Sequence, residues 1–403
     1  MRILPPEEML EATVELPLSK SMSVRAAAMD AMGAAYDAPL AFCDDVEAMR
    51  RVASARCGVA DAGDSGAALR FGLAILAATP GADVVLTGSP RLMQRPVGAL
   101  VDALQLLGAQ IETTEAGLHV CGRNLAGGRV EVDASASSQF VSALLMAAPL
   151  MKNGISLTID WNQPSLPYID MTLSMMRNRG IHAVREGVEI CVEPGKYSAP
   201  DVHDVERDWS AAAFWYETAA LSAGFITLPG LTDKSLQGDR AVADIFTRLG
   251  VVTTFTDEGA ELCADPEMHA RLDLDCSPTP DIVPALAFSA ALLGMPFELS
   301  GVEALRHKEC DRLEAITAQL SRIGVVAEID RGTLQWDGRR MPVMDLPVFD
   351  SCSDHRMAMA EAPVALYAPG IIVDGAECVA KSYPEFWNHL AAAGFSIEEP
   401  DEE

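Results

Sequence analysis

The sequence predicts an α/β protein of two similar domains, each built from three repeat units. Three observations carry that expectation. The chain has 403 residues, more than one ordinary core accommodates. Six stretches set small polar or charged residues ahead of an apolar, helix-length run, which then leads to a β-rich segment. Most of the intervals hold a second amphipathic pattern ending in Gly and a β-branched run.

In chain order, a short strand from Val14 runs into a loop reaching Arg25, and Ala26–Met32 reads as a helix with Gly33 near its end. Asp61–Arg70 leads into helix Phe71–Ala78 and a strand at Asp83–Thr87. Ser135–Gln139 precedes an apolar run to Pro149, long enough for about three helical turns, and then a strand begins at Gly154. Asp208–Tyr216 leads to a strand at Gly224–Leu228, Pro280–Leu293 to one at Gly294–Leu299, and Ser353–Ala360 to one at Gly370–Val373. Ser138, Ser210, Asp281 and His355 lie about 70 residues apart, and the first interval is shorter. The second helices are Leu100–Leu107, Met171–Arg179, Val242–Leu249 and Ile316–Ile323, each followed by Gly.

Six units divide naturally into two domains of three: 20–206 as the N-terminal domain, and 1–19 plus 207–403 as the C-terminal domain. The first strand lies ahead of unit one, and the last unit lacks a closing strand. Residues 1–19 are therefore expected to complete the C-terminal domain. The chain would cross between domains near Leu18 and near Glu206, a double crossover hinge suited to closure over a ligand.

Composition bounds the function. Hydrophobic content of 49% and charged content of 22% are those of a soluble globular protein. There is no uninterrupted apolar run of membrane-spanning length, and Met1–Glu8 holds no signal-type hydrophobic region. Nine scattered Cys without a C-x-x-C pair support neither zinc nor disulfides, and reduced thiols in the cytoplasm fit best. A net charge of −28 argues against nucleic-acid or anionic-membrane partners. Only six Lys occur, yet Lys20, Lys308 and Lys381 fall in the repeated segments.

Lys20, Arg25, Arg70, Arg95, Lys308, Arg312, Arg356 and Lys381 form a basic set at or near helix starts. A helix N-terminus has unpartnered N–H groups and a positive dipole end, so cations there point to anionic ligands, and several imply more than one anionic group. Any one of them reads equally well as a surface charge. Two acids sit among them. Asp281 begins a helix and Glu309 follows Lys308; a cap and a salt bridge are the structural readings, general base and general acid the functional ones.

The motifs Ser19–Arg25, Gly63–Arg70, Leu86–Pro96, Ser135–Gln139, Pro167–Asp170, Gln237–Asp239, Arg306–Arg312, Asp354–Met359 and Ala380–Pro384, in this order, resemble those of the 5-enolpyruvylshikimate-3-phosphate (EPSP) synthase family. The resemblance implies two domains of three βαβαββ units with an active site in the cleft between them. It implies transfer of the enolpyruvyl group of phosphoenolpyruvate to the 5-hydroxyl of shikimate 3-phosphate by addition and elimination. No metal or organic cofactor is implied, and the expected state is a monomer. By the same resemblance, Lys20, Ser21, Arg25, Ser137, Ser138, Gln139, Ser165, Tyr168, Asp281 and Lys308 hold shikimate 3-phosphate. Lys20, Gly66, Arg95, Gln139, Arg312, Arg356 and Lys381 hold phosphoenolpyruvate. Asp281 takes the hydroxyl proton, and Glu309, with Lys20, protonates the methylene carbon. Gly66, without a Cβ, lets backbone approach the ligand.

The chain departs from the family pattern at Leu18 (usually Gly), Val24 (Asn), Asp64 (Asn), Ala67 (Thr) and Ala304 (a polar contact). None removes an expected catalytic group, but Asp64 puts a negative charge beside an anion site. Two alternatives stand beside this reading: a related transferase acting on UDP-N-acetylglucosamine, and a non-catalytic phosphoshikimate-binding relative.

Overall fold

The computed structural model describes residues 1–33, 39–160, 164–200, 205–343 and 345–399. Their contacts divide the chain into two compact units, Leu18–Val205 and the composite of Met1–Pro17 with Glu206–Glu403.

Unit Leu18–Val205 opens with helix Lys20–Met32. The helix starts at Lys20, where a loop to Arg25 was expected. Ser19 caps it, its hydroxyl accepting from the Met22 N–H at 3.5 Å. Small polar residues in a first turn read as loop, yet they are the residues a capped helix start favours. Residues 34–38 lie outside the described residues, and 39–43 carry no strand. Helix Asp44–Ser54 follows.

Two complete repeats come after. The first runs strand Cys57–Asp61, helix Gly66–Ala77, parallel strand Asp83–Thr87, helix Gly98–Leu106, then hairpin Gln110–Thr114 and Gly117–Cys121. The hairpin folds back so that its second strand pairs with Asp83–Thr87. The second repeat takes the same βαβαββ path through Gly128–Glu131, Gln139–Ala147, Ile155–Thr158, Leu166–Asn178, Ala183–Glu186 and Glu189–Val192.

The helices that follow Ser65 and Ser138 are apolar around most of their circumference because they lie inside. Every residue of Gly66–Ala77 except Ala67 is buried, as is every residue of Phe140–Ala147, and the two helices pack on one another. The second helix of a repeat covers the sheet with one stripe only: Gly98–Leu106 buries Leu100, Ala103 and Leu104.

In the composite unit, one repeat is continuous: Leu272–Asp275, Val283–Leu292, Phe297–Ser300, Arg312–Arg322, Glu328–Asp330 and Thr333–Trp336. The other two each take a strand from residues 2–13. Glu11–Thr13 lies parallel to Phe225–Pro229 and supplies the first strand to helix Trp209–Ser222, helix Val242–Thr247 and hairpin Val251–Phe255 with Gly259–Ala264. Arg2–Leu4 lies antiparallel between Ile371–Asp374 and Ser396–Glu398. That is the place of the fourth strand in the other repeats, and it closes the unit formed by Val348–Asp350, helix His355–Glu361, Ile371–Asp374, helix Phe386–Ala392 and Ser396–Glu398. Residues 18–205 are thus an insertion between strand Glu11–Thr13 and helix Trp209–Ser222. The helices from Trp209, Val283 and His355 pack together in one core.

Candidate active site

In unit Leu18–Val205, Arg25 joins three helices. Its Nε donates to Thr172 Oγ1 (2.7 Å), Nη1 to the Ser21 carbonyl (2.8 Å) and Nη2 to Ser142 Oγ (3.3 Å). The guanidinium lies 5.3 Å from the Phe71 ring and 5.9 Å from that of Tyr168. Burial pushes its pKa down to about 10, against the pull of Tyr168. Lys20, one turn earlier, pairs with Asp45 at 3.3 Å.

Ser137 and Ser138 precede helix Gln139–Ala147. Ser137 Oγ accepts from the Gln139 N–H (3.3 Å), while buried Ser138, at the cap position, makes no side-chain cap bond. Ser165 is buried in left-handed backbone (φ 57°) at the start of helix Leu166–Asn178, three residues before Tyr168. A non-glycine residue there costs on the order of 1 kcal/mol, and such strain clusters at ligand clamps.

A second group surrounds Gly66. Arg70 Nη1 donates to Gln139 Oε1 (2.6 Å), and its Nη2 to the Pro96 carbonyl (2.9 Å). A Cβ on Gly66 would lie 2.9 Å from Nη1 of both Arg70 and Arg95. The bare backbone therefore lets two guanidiniums meet the head of a capped helix, where Ser65 Oγ accepts from the Ala68 N–H. Close by, the exposed Asp64 carboxylate accepts from the Ser89 hydroxyl.

In the composite unit, Asp281 is not a helix cap. It sits in the short 3₁₀ turn Pro280–Ile282 ahead of helix Val283–Leu292, and its carboxylate is held by cations. Lys308 Nζ (3.0 Å) and Arg312 Nη1 (3.2 Å) reach Oδ1, and Arg356 Nη2 (3.0 Å) reaches Oδ2. Glu309 pairs with Arg312 (3.1 Å) and Lys381 (3.6 Å). Asp354 fixes Arg312 through Nε (2.6 Å) and Nη2 (3.0 Å) and caps helix His355–Glu361 through the Arg356 N–H (2.9 Å). Burial works against the Arg312 charge, but Asp354, Glu309 and Asp281 hold its pKa well above the ordinary value. Burial lowers that of Lys308, partly offset by Asp281.

Each unit thus gathers its own share of the expected residues. Lys20, Ser21, Arg25, Ser137, Ser138, Gln139, Ser165, Tyr168, Gly66 and Arg95 lie in one, and Asp281, Lys308, Glu309, Arg312, Arg356 and Lys381 in the other. Asp281 and Glu309 are among the expected residues, whereas the other groups that hold these cations, Asp354, Asp45, Ser142 and Thr172, are not. Asp354 stands directly before His355-Arg356, a cap signal that identifies it. Asp45, Ser142 and Thr172 carry no such signal. Asp239, buried beside this cluster, accepts from the Ser210 hydroxyl; burial and the Asp281 charge push its pKa up to about 6, against the Ser210 bond and Arg356.

The profile of the family described as EPSP synthase (3-phosphoshikimate 1-carboxyvinyltransferase) matches residues 17–390. A 3-phosphoshikimate 1-carboxyvinyltransferase of Bacteroides fragilis is 39% identical over 402 residues, covering 98% of each chain. One of Syntrophobacter fumaroxidans is 40% identical over 335 residues, covering 81% of this chain and 77% of that one. The EPSP synthase structure from Acinetobacter baumannii shares the fold, with a TM-score of 0.75 at 22% identity and 99% coverage of each chain. With motifs, repeats and near-full-length relatives in agreement, the chain belongs to the EPSP synthase family, a family of transferases.

Proposed function

We propose that this chain transfers the enolpyruvyl group of phosphoenolpyruvate to the 5-hydroxyl of shikimate 3-phosphate, releasing phosphate. The observation that carries this reading is Asp281: a carboxylate at the head of a buried helix, contacted by three cations. Lys308, Arg312, Arg356 and Lys381 gather around Asp281, Glu309 and Asp354, a concentration of cations inside a chain of net charge −28. Arg and Lys side chains gathered in this way suit the phosphate and carboxylate groups of the substrates.

In this reading, Arg25, Ser21, Ser137, Ser138, Ser165 and Tyr168 hold shikimate 3-phosphate, with Lys20, Gln139, Asp281 and Lys308 adjoining it. Lys20, Gly66, Arg95, Gln139, Arg312, Arg356 and Lys381 hold phosphoenolpyruvate. Substrate phosphate and carboxylate draw cations away from Asp281 and Glu309, which raises the proton affinity of both acids. Asp281 then takes the 5-hydroxyl proton as the oxygen attacks the central carbon of phosphoenolpyruvate. Glu309, with Lys20, delivers a proton to the methylene carbon, giving a tetrahedral intermediate. Loss of a proton from that carbon expels phosphate and restores the enol double bond. The names of the relatives favour this acceptor over a UDP-sugar. Among the described residues no helix is long and apolar enough to cross a membrane, and we place the enzyme in the cytoplasm as a monomer.

The test is phosphate release from shikimate 3-phosphate plus phosphoenolpyruvate, with Asp281→Ala as control. Release no greater than the control overturns the proposal. Release only with UDP-N-acetylglucosamine as acceptor selects the related transferase instead.

A further inference from the structure

We propose that Asp83, His119 and Cys121 form a binding site for a zinc-class divalent cation, on the solvent face of the sheet that contains strands Asp83–Thr87 and Gly117–Cys121. The register puts Asp83 directly opposite Cys121, and Val85 opposite His119. Val84, Leu86, Leu118 and Val120 are buried, so the intervening positions point outward and the three donors share one face. Their ligand atoms all lie within 4.8 Å of one another, and among the described residues no other three His, Cys or carboxylate groups converge this way.

The spacing suits a tetrahedral ion. Zinc–nitrogen and zinc–oxygen bonds of about 2.0–2.1 Å and a zinc–sulfur bond of about 2.3 Å set N···S at about 3.6 Å and N···O at about 3.3 Å. His119 Nε2 lies 3.9 Å from Cys121 Sγ and 2.6 Å from Asp83 Oδ1. The thiol needs to close by a few tenths of an ångström and the carboxylate to open by less than about 1 Å. The Asp83 side chain is 71% exposed and has room to do so. On binding, the Cys121 thiol gives its proton to solvent, and the ion takes the place of the hydrogen bond between His119 Nε2 and Asp83, with neutral His119 keeping its proton on Nδ1.

Two further donors flank the triad on the same face. Exposed Cys57 lies opposite Asp83 on the neighbouring strand, and exposed Glu112 lies opposite His119. Either one, or water, completes four-coordination. A mixed oxygen, nitrogen and sulfur set favours zinc over calcium or magnesium, which take oxygen ligands. The acidic chain raises the local concentration of cations. Such an ion clips two strands whose ligands stand 36 residues apart, a separation that hides the site from any short-spacing motif.

Metal-free full-length protein is titrated with Zn²⁺ by calorimetry and with Co²⁺ by absorption. One saturable equivalent is expected, with a thiolate-to-cobalt charge-transfer band. Cys121→Ser abolishes the band, His119→Ala weakens binding by about tenfold or more, and Cys352→Ser changes neither. Asp83→Asn serves as a second surface variant. Absence of stoichiometric binding by the wild-type protein overturns the proposal, as does binding that persists in the Cys121→Ser, His119→Ala double variant. Phosphate release by these variants at the wild-type rate verifies that they are folded.

Discussion

Asp281 is the residue on which the proposed chemistry turns. Asp281→Asn keeps the shape but lacks the base, so kcat should fall by about 10²–10⁴-fold, with substrate binding, measured separately by fluorescence, retained. Gly66 is constrained from another direction. Its missing Cβ would press on the guanidiniums of Arg70 and Arg95, so Gly66→Ala should lower kcat/KM for phosphoenolpyruvate by on the order of a hundredfold. Steady-state kinetics with varied phosphoenolpyruvate reads this, and an unchanged ratio would mean that those guanidiniums do not bind that substrate. Asp64 works against the site. Asp64→Asn removes a charge near the same helix start and should lower the phosphoenolpyruvate KM; no change would exclude repulsion as the reason. Residue identity in the motifs was legible from sequence because a few side-chain types recur at helix starts. What holds each cation was not: Asp45 and Thr172 reach Lys20 and Arg25 from other helices, and no local pattern encodes such a meeting.

At the scale of elements, the apolar runs and their Gly ends gave the helices and strands directly. Leu100–Leu107 folds as helix Gly98–Leu106, and Gly108 turns the chain with φ 103° into strand Gln110–Thr114. Starts were harder, because the residues that cap a helix are those that also make loops. Lys20–Arg25 reads as loop yet forms the head of a helix, and Asp281 reads as a cap yet lies in the 3₁₀ turn ahead of its helix. Where a cap is real, it has a measurable share in stability. Asp208 Oδ1 accepts from the Ala211 N–H at 3.0 Å at the head of buried helix Trp209–Ser222. Asp208→Ala should cost about 1 kcal/mol in urea denaturation, and Asp208→Ser should recover most of it.

For the whole molecule, the composite core carries two carboxyls with no role in the proposed reaction. Glu217 and Glu361 are fully buried, and neither carboxyl has a hydrogen-bond partner among the described residues. Burial raises both pKa values well above 4.5; Glu361 adds to the effect on Glu217, and Asp350 and Asp354 to that on Glu361. The fold therefore retains protons that the unfolded chain releases near pH 4.5. The contribution of these two carboxyls to stability is fully present below that pH and declines as pH rises through the raised folded values. Glu217→Gln and Glu361→Gln should flatten this decline when denaturation midpoints are compared between about pH 5 and pH 8. The path of the chain has its own consequence, for synthesis. Met1 bonds to Val373, 372 residues further on, while the strands of Leu18–Val205 pair within that unit and are complete far sooner. The inserted unit should therefore fold first on the ribosome, leaving strands Arg2–Leu4 and Glu11–Thr13 unpaired until the later repeats emerge. Pulse proteolysis of stalled nascent chains would register a resistant 18–205 fragment well before residues 1–17 become protected.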